Sequence, residues 1–224
     1  MKYMKYFSTI KAIVICAFLM MFVSACCNCG QQQSTEAQNG AGIFEGSCGI
    51  GGMKLYGSVN FDGSTQTYTL TGGGMNVWER LDQHFYVWKK VKRDFTMTTK
   101  IAFEGVGVNT HRKIGIMIRD ALSGESRCAH ISIHGDGLTS LQYRSETGGI
   151  TNEIKGPPNG NYITLEKSGN KIRMRTATDV KPADVTAEIE MDFPGTFYVG
   201  LFICSHETDV LEKAYFTQVE FKKL

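Results

Sequence analysis

From Gly42 to Leu224 the chain is built of short runs in which apolar and polar residues alternate, separated by residue pairs suited to tight turns. Gln66–Leu70, Phe95–Ile101, Lys171–Arg175 and Tyr198–Ile203 alternate or run apolar over strand lengths, with β-branched and aromatic residues plentiful. Asp62-Gly63, Asp136-Gly137 and Gly169-Asn170 stand between such runs, where a hairpin wants residues that tolerate positive φ. No long stripe of helical spacing is present, and Trp78 with Leu81 fits one short turn. Gly72-Gly73-Gly74 lacks the Gly-Lys-Ser/Thr of a phosphate loop and reads as a further turn. With 25 Gly against four Pro, many short antiparallel strands predict an all-β fold, a β-sandwich or jelly roll. Residues 42–224 suffice for one domain with a sizeable core, and neither an internal repeat nor a second domain is visible.

The first 25 residues differ in kind. Lys2, Lys5 and Lys11 supply positive charge, and Ile13–Val23 is apolar but short of the roughly 20 residues that span a bilayer. Val23-Ser24-Ala25 then precede Cys26. The arrangement resembles the lipobox of bacterial lipoproteins, whose cysteine thiol takes a diacylglycerol. The resemblance implies a lipoprotein signal peptide over residues 1–25 and lipidation at Cys26. Residues 26–41 are polar and small, without apolar periodicity, and read as a lipidated flexible tether. The expected location is the bacterial cell envelope, with a lipid anchor in the outer membrane and the domain facing the periplasm or the surface. The residues just after Cys26 lack an acidic cluster, which leans towards the periplasm.

Loss of such a signal changes the charge balance. The whole chain is formally +2, but removing three lysines leaves 21 basic against 22 acidic residues, a net −1. Nothing in that balance predicts a nucleic-acid partner. Of seven cysteines, Cys16 lies in the signal, Cys26 takes lipid, and Cys27 and Cys29 lie in the tether. Cys48, Cys128 and Cys204 fall in the domain, and an exported protein can pair them in ways that spacing cannot assign. Cys128 with His130, and Cys204 with His206, have ligand-type residues two apart, but zinc would need their strands to be neighbours. Calcium beside Asp62 or Asp136 is compatible with lectin-like folds, yet no ligand-rich loop is visible. No metal or cofactor is expected.

The residues also carry a wider resemblance. Thr67–Gly74 is followed by Trp78, Asp82 and Asp94-Phe95, then Lys113–Arg119, then Gln142-Tyr143-Arg144 with Gly148-Gly149. Tyr198-Val199-Gly200-Leu201 and Ser205-His206 complete the series. In order and spacing this is similar to the concanavalin A-like modules of secreted bacterial proteins, from about Tyr56 to Phe221. The resemblance implies the lectin and glucanase fold, and leaves the activity to be argued from the site.

Alternation sorts the central strands into two faces. Ile114, Ile116, Ile118, Ala129, Ile131, Ile133, Leu141 and Tyr143 share one. Arg119, His130, Ser132, His134, Gln142 and Arg144 share the other. A sugar needs planar donors and acceptors for its hydroxyls and an aromatic platform for its ring face. Arg119, His130, His134, Gln142 and Arg144 suit the first need, and Trp78, Tyr86 or Trp88 the second. The candidate is therefore a lectin-like, non-catalytic glycan site. In the competing structural reading, Arg119 and Arg144 pair with acids such as Asp82 or Asp120 and the aromatics fill core.

A glycoside hydrolase acting on β-glucan or xylan is the alternative. Glu188, Glu190 and Asp192 fall on one side of a strand, and glucanases of this fold carry alternate acids in a similar segment. Their order is Glu, Asp, Glu, whereas here it is Glu, Glu, Asp. Retention needs one ionised and one proton-bearing carboxyl about 5 Å apart. The simpler reading is an amphipathic strand that buries Ile189, Met191 and Phe193 and leaves the acids in water. A structural or protein-interaction lipoprotein is the third possibility.

Overall fold

A computed structural model describes residues 42–224; the expected signal peptide, Cys26 and the expected tether lie outside the described residues. Fifteen strands follow in chain order: β1 Gly46–Ile50, β2 Ser58–Asp62, β3 Thr67–Gly74, β4 Asn76–Trp78, β5 Leu81–Val91, β6 Phe95–Phe103, β7 Lys113–Arg119, β8 Cys128–His134, β9 Thr139–Arg144, β10 Asn152–Lys155, β11 Tyr162–Ser168, β12 Lys171–Ala177, β13 Ala187–Glu190, β14 Phe197–Cys204 and β15 Glu207–Lys223. They form two antiparallel sheets. One runs β1-β5-β14-β7-β8-β9-β10, with β4 paired to β5; the other runs β13-β12-β11-β6-β15-β3-β2. The chain is therefore an all-β sandwich, as its alternation predicts.

The expected turns are where the backbone needs them. Asp62-Gly63 joins β2 to β3, Asp136-Gly137 joins β8 to β9 with Gly137 at φ 87°, and Gly169-Asn170 joins β11 to β12 with Gly169 at φ 60°. Trp78 and Leu81 close a two-residue hairpin between β4 and β5, with Glu79 at φ 51°. The glycine run differs from expectation: Gly72-Gly73-Gly74 completes β3 instead of turning. It serves close approach. A Cβ on Gly72 would stand 2.5 Å from Ile203 Cγ2 and 2.7 Å from Phe85 Cβ, and one on Gly74, at φ 117°, would stand 2.1 Å from Gln83 O. Only glycine lets β3 close on β5 and β14 here.

The aliphatic face predicted for β7, β8 and β9 enters the space between the sheets. Ile114, Ile116, Ile118, Ala129, Ile131, Ile133 and Leu141 meet Leu165, Ile172, Met174 and Phe216 from the opposite sheet. Ile189, Met191 and Phe193 of the edge segment join the same core. A second, smaller apolar cluster lies on the other side of the first sheet: Val77 of β4 with Tyr86, Met117, Cys128, Phe202 and Cys204. That cluster decides what the polar face becomes.

Candidate functional site

Cross-strand register lines up the outer face of the first sheet in ranks, because partners in a ladder share a face. One rank reads Trp88, Gly200, Met117, His130, Gln142, Glu153. The next reads Lys90, Tyr198, Arg119, Cys128, Arg144, and on the other side stands Tyr86, Phe202, Gly115, Ser132, Ser140. Beyond it lie Cys204, Lys113 and His134. Five sequence candidates thus fall in two adjoining ranks: Trp88, His130 and Gln142, and Arg119 with Arg144. His134 stands two ranks off and reaches back to Gln142 at 3.5 Å. Trp78 sits on β4, off the ladder, opposite Leu81.

This face is not open to water. None of His84, Lys113, Arg119, His130, Ser132, His134, Ser140, Gln142 and Arg144 is more than 6% exposed. Alternation correctly assigns the face, but it carries no information on what lies over it. Here β4 packs Val77 into the outer cluster, and Asn76 Oδ1 accepts a hydrogen bond from the Lys113 ammonium.

Arg119 and Arg144 take the structural role weighed against ligand contact, and the acid is Asp82. Arg144 Nη2 and Nη1 donate to the Asp82 carboxylate at 2.7 and 3.1 Å, and Arg119 Nη2 stands 3.4 Å from it. All three side chains are fully buried. Arg144 also donates to Glu79 O, Gly149 O, Gly124 O, Ser126 O and Thr151 Oγ1, and Arg119 to Ala121 O and Ser123 O. Every donor of Arg144 is occupied within the chain, which leaves none for a sugar. The hub ties the β4–β5 turn to the loops after β7 and β9. Burial opposes the charge on Arg144, but Asp82 more than offsets it and holds the guanidinium above its ordinary pKa. Asp120 instead pairs with Arg127 at 3.4 Å.

The remaining polar groups are differently placed. His84 Nε2 stands 3.3 Å from Arg119 Nη1, so it must accept, and its Nδ1–H has no partner among the described residues. His130 Nδ1 stands 2.9 Å from Ser132 Oγ, while its Nε2 has no partner among the described residues. Gln142 donates to Glu153 Oε1 at 2.8 Å, and its Oε1, together with His134 Nδ1, Ser140 Oγ and Thr139 Oγ1, is unpartnered among the described residues. Burial pushes the pKa of His84 and His130 well down, with Arg119 adding to the effect on His84 and Lys113 on His130. Burial, then the Lys113 charge, lowers His134 to about 4. These imidazoles are neutral at physiological pH and present both donors and acceptors.

Trp88 is half-buried, edge-on to Tyr198 at 5.1 Å between ring centroids, and its indole N–H has no acceptor among the described residues. His84, Lys113, Ser140 and Tyr198 were not among the sequence candidates. The alternation Asp82, His84, Tyr86, Trp88, Lys90 along β5 is the signal that points to the first of them.

The hydrolase candidates lie elsewhere. Glu188 and Glu190 stand on the outer side of β13, an edge strand of the second sheet, and Asp192 follows, all three exposed. Glu188 accepts hydrogen bonds from Lys171 Nζ and Arg173 Nε at 2.7 and 2.5 Å, which hold its carboxyl below the usual range. That opposes a proton-bearing role. The bonds belong to a ladder in which Arg173 and Arg175 both bind Glu166. The amphipathic-strand reading describes this segment.

Cys128 and Cys204 are buried thiols, pushed up by burial to about 12 and about 11. Their strands are separated by β7, so the two Cys–His pairs do not converge. Asp62 and Asp136 cap their own turns through Ser64 N and Leu138 N. Among the described residues no group of three or more His, Cys, Asp or Glu is gathered for a metal.

No family model and no curated protein matches the chain. Solved structures do. A functionally unknown protein from Saccharomyces cerevisiae superposes with a TM-score of 0.60 at 18% identity, covering 80% of this chain and 96% of the other. The carbohydrate-binding module CBM66 from Bacillus subtilis gives 0.51 at 15% identity over 81% of this chain and 98% of the module. The GH43 protein BlXynB from Bacillus licheniformis gives 0.52 at 12% identity over 78% of this chain but only 38% of that longer one. At such identities the likeness is one of fold, and the fold shared is the concanavalin A-like antiparallel β-sandwich.

Proposed function

We propose that this protein is a lipid-anchored, non-catalytic carbohydrate-binding module of the bacterial cell envelope. One observation carries the binding role: hydrogen-bonding atoms of His84, His130, His134, Ser140 and Gln142 lie buried on one sheet face without partners among the described residues. Buried polar groups are nearly always satisfied, so these are places for water or ligand hydroxyls. They mix donors with acceptors, as a polyol requires, and Trp88 supplies a ring in the rank of His130 and Gln142. Entry requires displacement of what lies over the face. β4, three residues long and paired as a strand with β5 alone among the described residues, rests on it. The likeness of fold to a carbohydrate-binding module supports the same reading. The envelope location rests on the lipobox-like residues before Cys26. Cys26→Ser is expected to abolish incorporation of radiolabelled palmitate and to release the protein from the membrane fraction.

The binding test is a glycan array probed with the full-length chain. Saturable hits are expected, and Gln142→Leu, which removes the amide at nearly constant volume, should weaken them at least tenfold. An array without hits sinks the proposal.

A further inference from the structure

The end of the sandwich beside Trp88 carries a groove of about 710 Å³ between the end of β5, the start of β14 and the C-terminal end of β15. Its walls include Lys90, Lys92, Arg93, Lys223, Tyr198 and Asp120. Four cations therefore face one acid, and that acid is already paired with Arg127. None of the four cations makes an ion pair among the described residues. Elsewhere on the surface unpaired cations are scattered, as at Arg80, Lys89 and Lys155, and most cations are paired. Lys54, Lys100, Lys171, Arg173, Arg175, Lys181 and Lys213 all have acidic partners. In a segment 26–224 whose formal charge is −1, unpaired cations gathered in one concavity focus a positive potential there.

The groove is also continuous with the aromatic pair. Lys90 Nζ lies 5.9 Å from the Trp88 ring and 6.0 Å from the Tyr198 ring, and Tyr198 itself lines the groove. Trp88 occupies the rank of His130 and Gln142, so the groove borders the end of that buried face. Its volume falls within the roughly 300–1,000 Å³ of small-ligand sites.

We infer that this groove binds the anionic groups, carboxylate or sulfate, of a polysaccharide whose neighbouring rings lie along Trp88 and Tyr198. The inference rests on the glycan-binding reading above and specifies the charge of the ligand. Arg93 suits bidentate recognition of a planar carboxylate, and the three lysines act as point charges. The chain enters the domain close by, Glu45 N donating to Trp88 O at 2.8 Å. A lipid tether at Cys26 would bring the same cations near a membrane, so an anionic bilayer is the competing occupant. A concave groove with the Tyr198 ring in its wall and Trp88 beside that ring favours the saccharide over a flat headgroup surface.

The test uses the full-length chain in neutral detergent against two matched pairs of probes. Polygalacturonate is compared with its methyl ester, and dextran sulfate with dextran. Binding to either anionic polymer is expected to be at least tenfold tighter than to its neutral counterpart and to weaken with salt. Lys92→Ala/Arg93→Ala should lose at least tenfold, while Lys54→Ala/Lys181→Ala, an equal charge change elsewhere, should not. Equal binding by wild type and the groove variant overturns the inference. So does equal affinity for charged and neutral polymers, which leaves glycan binding itself intact. No binding to any polymer in these pairs or on the array removes both readings. Groove-dependent capture of phosphatidylglycerol vesicles without polysaccharide binding reassigns the groove to the membrane and overturns the inference.

Discussion

Asp82 is the residue on which the outer face depends. Its carboxylate sits between two guanidiniums with no exposed surface on any of the three. Such a pair is costly to desolvate, and breaking it from one side leaves an uncompensated buried charge. Asp82→Asn is therefore expected to destabilise the fold by about 3–5 kcal/mol, read from the urea midpoint. Asp120→Asn, which disrupts a partly exposed pair with Arg127, should cost no more than about 1 kcal/mol. An equal effect of the two would contradict the hub. Asp82 is recognisable in sequence as a partner for Arg119 or Arg144, since opposite charges on one fold must meet if buried. That it serves both, and that Asp120 serves neither, follows from the loops converging on it.

At the scale of elements, period two predicts both where strands run and which way their side chains point. Ile114, Ile116 and Ile118 enter the core, as do Ile189, Met191 and Phe193. The edge strand β13 shows the consequence for chemistry. Its acids point outward because its apolar residues point inward, and Glu188 closes an ion-pair ladder with Lys171 and Arg173. Exposed pairs of this kind contribute little, so Glu188→Gln should cost less than about 1 kcal/mol in denaturation and leave glycan binding unchanged. Loss of binding in that variant would place the site on the wrong sheet. The glycine run of β3 reads as a turn in the sequence because glycine signals positive φ and close approach alike. Only the proximity of Ile203, Phe85 and Gln83 distinguishes the two.

The whole molecule responds to pH through its buried imidazoles. Burial, with the Lys113 charge next, lowers His134 from 6.5 to about 4, against the smaller opposing pull of Asp136 and Glu153. His84 and His130 are shifted the same way. Between those two values the unfolded chain binds a proton that the folded chain refuses, so stability rises with pH there. The fold keeps its full margin above 6.5 and loses it on acidification towards 4. His134 by itself should cost about 2–3 kcal/mol between about pH 7 and about pH 4.5. Urea midpoints at the two pH values check this, and His134→Gln should shrink the difference. An unchanged difference would mean that His134 is hydrated and titrates normally.

Some of this protein is written in local pattern. The sandwich, its hairpins, its two strand faces and the charge imbalance created by the first 25 residues follow from spacing and composition, because backbone periodicity and net charge are local or additive. What lies over a face, which acid meets which arginine, and which cations are left unpaired depend on segments far apart in the chain. Trp88, Tyr198, Lys223 and Arg93 share one end of the molecule only because β5, β14 and β15 bring them there. The alternation picked out the polar face, but the tertiary structure buried it, spent Arg119 and Arg144 on Asp82, and left a basic groove at its end.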